Sequence, residues 1–386
     1  MNSATALDPV AFTRDLIRCP SVTPADGGAM DLVERALADL GFICRRMRFG
    51  EIENLYARLG SARPNLCFAG HTDVVPTGDL AAWTSAPFEA AVEGGVVIGR
   101  GAVDMKSAIA AYLAAAGRVL ARGVPAGSIS LLITGDEEGV AEHGTKAVVA
   151  ALAAEGEVID HCVVGEPTSS ATLGDMIKIG RRGSIGATIT VEGRQGHVAY
   201  PDRAANPVPV LIRLLARLQA RRLDEGFEDF QPSNLEVTTI DVGNAATNVI
   251  PARATAYLNI RFNPTHTGAA LAAWLTEEAR LAGEGFAGAV TLVPKISGEA
   301  FLTAPGDFTR VVAGAVRAAS GVEPRLSTTG GTSDARFIRA LCPVVEFGLV
   351  GATMHAIDER APTAEIVALS AIYERLIEDY FAAFSA

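Results

Sequence analysis

Imidazole and carboxylate side chains recur in this sequence immediately after short apolar runs. His71 and Asp73 follow LCFAG, Glu137 and Glu138 follow LLITG, and Glu166 follows VVG. Asp104 lies in GRGAVDMK, just ahead of an Ala-rich segment, and His355 follows VVEFG through a glycine-bearing loop. Nitrogen and oxygen donors of this kind, with no cysteine among them, suit zinc or a similar first-row metal better than magnesium. Taken singly, each has an ordinary reading. The DEE run at 136–138 suits a helix start, where carboxylates meet the positive end of the dipole. A lone loop histidine is usually a hydrogen-bonded surface residue, and His143, His161 and His266 are read that way. The joint placement at the ends of separate strands is what favours chemistry, because ligands bind at the carboxyl ends of strands in open α/β sheets.

Positioning such groups requires strands and helices in alternation. Helices are expected at 8–18, 28–40, 105–123 and 146–156, and apolar strands at 65–70, 128–135 and 161–165. Apolar strands separated by helices imply an α/β layer with a mostly parallel sheet. From Gly183 the pattern changes to strand 184–193, helix 207–223, strands 235–243 and 254–264, helix 268–282 and strand 289–295. This β-α-β-β-α-β block has the size of an inserted α+β domain. The α/β pattern then resumes with a helix at 307–320, a strand at 343–348 and a helix at 363–384. The expected organisation is a discontinuous catalytic domain, 1–180 and 294–386, interrupted by an insert at 181–293.

Composition narrows the function classes. The 386 residues suit two domains, and 49% hydrophobic with 20% charged residues is the balance of a globular protein. The 44 acidic against 33 basic residues give a net charge of −11, which disfavours nucleic acid as a partner and suits cation binding. Five isolated cysteines with no CxxC pair argue against a disulfide framework or a thiolate metal site and point to a reducing compartment. No apolar run of ~18 residues suggests a membrane span. The stretch MNSATALDPVAF lacks the basic and apolar regions of a signal peptide, so a cytoplasmic location is expected.

The strings GHTDVVP (70–76), GRGAVDMK (99–106), TGDEE (134–138), GEPT (165–168), GRQGHVAYP (193–201), TGGTSDARF (329–337) and TMHAIDE (353–359) together resemble the M20 family of dinuclear zinc amidohydrolases. The resemblance covers nearly the whole chain, with the motifs in order. It implies a zinc-peptidase-like catalytic domain, a lid and dimerisation role for the insert, and two zinc ions per subunit, replaceable by cobalt. By resemblance His71 and Glu166 bind one ion, Glu138 and His355 the other, and Asp104 bridges them. Glu137 is expected as the general base, because it cannot point at the same metal as its neighbour Glu138 without strain. Asp73 is expected to accept the second imidazole N–H of His71.

The same resemblance gives His197 an oxyanion-stabilising role in the partner subunit's site. Arg181, Asn248, Arg261, Gly331 and Thr332 are expected to contact substrate carboxylates; ordinary ion pairing or turn formation is the alternative for each. RRGS, GRQGHVAYP and TGGTSDARF point to the branch that hydrolyses N-succinyl-LL-2,6-diaminopimelate. Gly351 and Ala356 depart from that branch, which usually carries Asn and Lys there. The alternatives are another deacylase of the family, such as one acting on N-acetylornithine, or a metal-free scaffold on the same fold. The candidate ligands and base, all present, disfavour the scaffold.

Overall fold

The computed structural model describes residues 7–385. The chain divides into two compact units: one contains the residues up to Ile179, Thr303–Ser327 and the stretch from Ser333 onward, the other Gly180–Leu302 with Thr328–Thr332.

In the first unit eight strands form one sheet. Their spatial order is Ile43–Phe49, Ile52–Leu59, Ser128–Thr134, Asn65–His71, His161–Val164, Val344–Glu346, Met176–Lys178 and Arg325–Ser327. The four strands at the middle of this order pair parallel. Every residue of Asn65–His71 and Ser128–Thr134 is buried, which is why both read as continuous apolar runs rather than alternation. An antiparallel hairpin, Ile43–Phe49 with Ile52–Leu59, closes one edge around Gly50, whose φ of 56° suits a residue without a Cβ.

The helix Lys106–Arg122 packs against Pro9–Ile17, Thr363–Phe384 and the strand Asn65–His71. Twelve of its 17 residues are buried, so it is surrounded rather than amphipathic, and its alanines let several neighbours approach closely. Its Tyr112 stacks on Phe68 at 4.2 Å, with Tyr373 edge-on to Phe68 at 5.4 Å. Such pairs add about 0.5–1.5 kcal/mol each beyond the area they bury.

The second unit is a four-stranded antiparallel sheet in the order Asn234–Asp241, Arg253–Phe262, Gly183–Glu192, Ala289–Gly298. Alternate residues of the two inner strands, including Ile185, Ile189, Leu258 and Ile260, are buried with Leu211, Leu214, Leu271 and Leu275 of the helices Pro207–Ala220 and Gly268–Ala282. The element order matches the expected β-α-β-β-α-β block. The expected boundary at 293/294 does not match, because it falls inside the strand Ala289–Gly298 and the unit continues to Leu302. The strand carries Pro294 within it, which is tolerated because this is an edge strand, where a residue with no N–H leaves no ladder bond unmade. The run 328–332 also belongs to this unit.

Two of the three histidines read as surface residues are placed otherwise. His161 is half-buried, stacked on Phe308 at 4.4 Å with Nδ1 3.1 Å from the Tyr380 hydroxyl. His266 is half-buried and lies 3.0 Å from Asp224, whose carboxylate also accepts the N–H of Gly226 and the amide of Asn263. Burial alone would raise the Asp224 carboxyl, but these donors and Ser233 outweigh it and hold its pKa at about 2. His143 is exposed, as expected. Among the described residues no helix is long and apolar enough to cross a membrane.

Candidate metal centre

The parallel pairings bring the carboxyl ends of three strands to one edge of the large sheet. His71 closes its strand opposite Thr134, Glu137 and Glu138 follow Thr134 by three and four residues, and Glu166 follows Val164 by two. Asp104 stands two residues ahead of the helix Lys106–Arg122, and His355 lies just past the turn Gly351–Thr353. Two glycines set the depth of this edge. A Cβ on Gly70 would lie 2.8 Å from the Met105 methyl and one on Gly165 2.7 Å from it, so Met105 fits beneath the residues preceding His71 and Glu166 only because both positions lack a side chain.

The donor atoms converge in three overlapping trios, His71–Asp104–Glu166, His71–Glu137–Glu138 and Asp104–Glu138–His355, with atoms of each trio within 4.8 Å of one another. His71 Nε2 lies 3.2 Å from Asp104 Oδ1 and 3.8 Å from Glu166 Oε1. His355 Nε2 lies 2.8 Å from Glu138 Oε1 and 3.3 Å from Asp104 Oδ2. Asp104 therefore turns one oxygen to each imidazole. Two imidazoles and four carboxylates, arranged in trios that share His71, Asp104 and Glu138, form a donor set of the kind that holds first-row divalent metal ions. Glu137 was expected to diverge from Glu138; an oxygen of each lies within 4.8 Å of a His71 ring nitrogen. Adjacent residues in the irregular loop after the strand are not held to the opposite faces that a strand would impose.

Asp73 also differs from expectation. His71 Nδ1 is 2.9 Å from the main-chain carbonyl of Asp73 and 3.6 Å from its carboxylate. The carboxylate instead accepts the main-chain N–H groups of Glu137 at 3.3 Å and Glu138 at 3.0 Å. Asp73 thus fixes the imidazole through its backbone and the Glu137–Glu138 pair through its side chain.

Electrostatics follow from burial and crowding. Burial alone would favour neutral His71, but its bond to Asp104 and the charge of Asp73 hold its pKa well above the usual histidine value. Hydrogen bonds to Asp104 and Glu138 raise His355 to about 10. Burial would raise Asp104, yet the two imidazoles outweigh it and hold the carboxyl well below the usual range. Burial pushes Asp73 up to about 6 against the pull of His71. Glu137 is pushed well above the ordinary carboxylate range by loss of water and then by the charges of Glu166 and Asp334. Crowded carboxylates of this kind are relieved by a cation.

The other expected site residues all fall in the second unit. His197 is exposed on a two-residue strand paired with Val249–Ile250, and its Nδ1 accepts the N–H of Ala199 at 3.1 Å. Asn248 is exposed on the same ribbon, its carbonyl accepting the N–H of Val198 at 3.1 Å. Arg261 is half-buried opposite Ser184 on the sheet. Arg181 donates to the carbonyl of Thr329 at 3.3 Å, and a Cβ on Gly330 would strike its guanidinium. Gly331 is exposed beside half-buried Thr332. In the first unit, a Cβ on Gly351 would lie 3.1 Å from the Pro167 carbonyl, tighter than ordinary contact. Arg100 and Glu359 were given no role from sequence, although both stand inside quoted motifs.

Known proteins resemble this chain over nearly its whole length. The model of peptidase family M20/M25/M40 matches residues 67–379. The succinyl-diaminopimelate desuccinylase of Phenylobacterium zucineum is 71% identical across 98% of this chain and all of that protein. The one of Maricaulis maris is 58% identical across 98% of this chain and 97% of its own. Among solved structures, an M20 family metallo-carboxypeptidase from Sulfolobus solfataricus superposes with a TM-score of 0.81 at 17% identity, covering 97% of this chain and 99% of that one. A Bacillus subtilis protein described as a dinuclear metal binding peptidase from the M20 family gives 0.72 at 15% identity, covering 97% and 98%. The chain belongs to peptidase family M20/M25/M40.

Proposed function

We propose that this enzyme hydrolyses the amide bond of N-succinyl-LL-2,6-diaminopimelate, consuming one water and releasing succinate and LL-2,6-diaminopimelate. One observation carries the substrate: relatives 71% and 58% identical over essentially their whole length are named for that reaction. In this reading His71 and Glu166 hold one zinc ion, Glu138 and His355 a second, and Asp104 both, with cobalt able to substitute. Ions bound there supply Lewis acidity, lowering the pKa of water and polarising the amide carbonyl.

The protein's own groups do the rest. Glu137, with its raised pKa, accepts the proton of the attacking water and returns it to the departing amine. Asp73 orients Glu137 and Glu138 through their main-chain N–H groups. Arg181, Asn248, Arg261, Gly331 and Thr332 receive the substrate carboxylates, for which guanidinium forks and turn N–H groups are suited. The reaction takes place in the cytoplasm, for which five free cysteines are consistent support.

The test is a comparison of substrates on zinc-loaded protein. N-succinyl-LL-2,6-diaminopimelate is expected to exceed N-acetylornithine in kcat/KM by roughly 10²-fold or more, since a site built for a carboxylate is left with unpaired donors by an acetyl group. Chelation is expected to abolish the activity and zinc or cobalt to restore it. Equal or faster turnover of N-acetylornithine would sink the substrate assignment.

The exposed His197 serves, in this reading, the centre of a second copy in a homodimer formed through Gly180–Leu302. Mixing His197→Ala with Glu137→Ala should then restore activity, because one site of each mixed dimer has both groups. Random exchange makes half the dimers mixed, so about a quarter of wild-type activity is expected if each group alone is worth ~10²-fold or more. No recovery despite demonstrated subunit exchange rules the shared site out.

A further inference from the structure

Arg100 and Glu359 form an ion pair at 2.8 Å, with side chains 2% and 0% exposed, at the back of the loops that carry Asp104 and His355. Both carboxylate oxygens of Glu359 and both terminal nitrogens of Arg100 also hydrogen-bond to main chain. Glu359 Oε1 accepts the N–H of Val103 at 2.8 Å and of Asp104 itself at 3.0 Å, while Oε2 accepts the N–H of Gly101 at 3.1 Å. Arg100 Nη1 donates to the Ala356 carbonyl at 3.0 Å, and Nη2 to the His355 carbonyl at 3.4 Å and to that of Pro76 at 3.3 Å. The indole of Trp83 covers the guanidinium at 5.2 Å. His355 has a φ of 62°, a left-handed conformation that a residue with a Cβ adopts only when its surroundings impose it.

We infer that the Arg100–Glu359 pair is a positioning device that fixes the backbones of Asp104 and His355 relative to one another, and so sets the affinity of the ion held between Glu138 and His355. The inference rests on the ligand assignment proposed above. Isolated ion pairs buried this deeply contribute little net stability, so a role in geometry gives the pair a reason to be there. Its reach is asymmetric. It touches the main chain at Asp104 and His355, and none of its hydrogen bonds goes to His71 or Glu166.

The test is calorimetric titration of metal-free full-length protein with zinc, in wild type, Glu359→Gln, Arg100→Lys and His355→Ala. Wild type should show two binding steps, and His355→Ala identifies the step that belongs to that histidine. Glutamine offers one acceptor oxygen where four donors converge on two, and lysine cannot span the carbonyls that the guanidinium fork spans. Both variants, folded by near-ultraviolet circular dichroism, are expected to weaken the His355 step by about 10–100-fold and the other step less. Wild-type affinities in the variants, or equal weakening of both steps, overturn the inference while leaving the metal assignment intact. Absence of zinc binding by wild type instead overturns the assignment and this inference with it. If Glu359→Gln does not fold, Arg100→Lys decides; failure of both to fold assigns the pair to the fold and overturns the inference.

Discussion

Glu137→Ala is expected to keep both metal ions and lose nearly all turnover. General acid–base groups contribute ~10²–10⁴-fold, and Glu137 is asked to act twice in each cycle, first on the water and then on the leaving amine. The position of the carboxylate makes the experiment discriminating, since an oxygen of Glu137, like one of Glu138, lies within 4.8 Å of a His71 ring nitrogen. Geometry therefore admits Glu137 as either base or ligand, and metal content separates the two. A base leaves the stoichiometry of the alanine variant unchanged; a ligand takes an ion with it. Glu137→Gln sharpens the result, because it preserves size and removes only the capacity to take a proton. Turnover within a few-fold of wild type in either variant would show that the proton goes elsewhere.

The sequence made the centre legible because its ligands follow strands that are buried on both faces. Such strands are runs of Val, Leu and Ile bounded by polar residues, so LCFAG-H and LLITG-DEE announce both the strand and its carboxyl end. The hairpin Ile43–Leu59 was not read, since ICRRMRF lies at the sheet edge, is largely exposed, and its adjacent Arg45 and Arg46 break the alternation that would mark a strand. The three-residue strands Val96–Ile98, Met176–Lys178, Arg325–Ser327 and Arg360–Pro362 are too short to display any period.

At the site, residue types were readable and hydrogen-bond partners were not. Nothing in HTD says that the aspartate carboxylate turns to the main chain of Glu137 and Glu138 rather than to the imidazole two residues away. Arg100 and Glu359 are 259 residues apart, and only the folded chain makes them one object. Their one sequence signal was a pair of charged residues inside glycine- and histidine-bearing motifs that had been given no task.

Asp104→Ala is expected to release both ions, and it is the most damaging single change at the centre. Each ion, in the proposed assignment, has two ligands of its own and shares the third. Apparent binding energies of about 10–16 kcal/mol for four-ligand zinc sites amount to roughly 3 kcal/mol per ligand, or a factor of about 10² in affinity. Removing a bridge subtracts that amount twice, whereas His355→Ala subtracts it once. The geometry supports the shared role, because Asp104 presents Oδ1 to His71 at 3.2 Å and Oδ2 to His355 at 3.3 Å, with neither oxygen left over. Asp104→Asn keeps the shape but replaces one oxygen by an amide that cannot bind a cation, so it should hold one ion better than alanine does and still lose the second. Metal content after gel filtration, set beside that of His355→Ala and His71→Ala, reads this directly. Loss of a single ion from Asp104→Ala, with the other held at wild-type affinity, would make Asp104 a ligand of one ion and leave the two positions joined by something else.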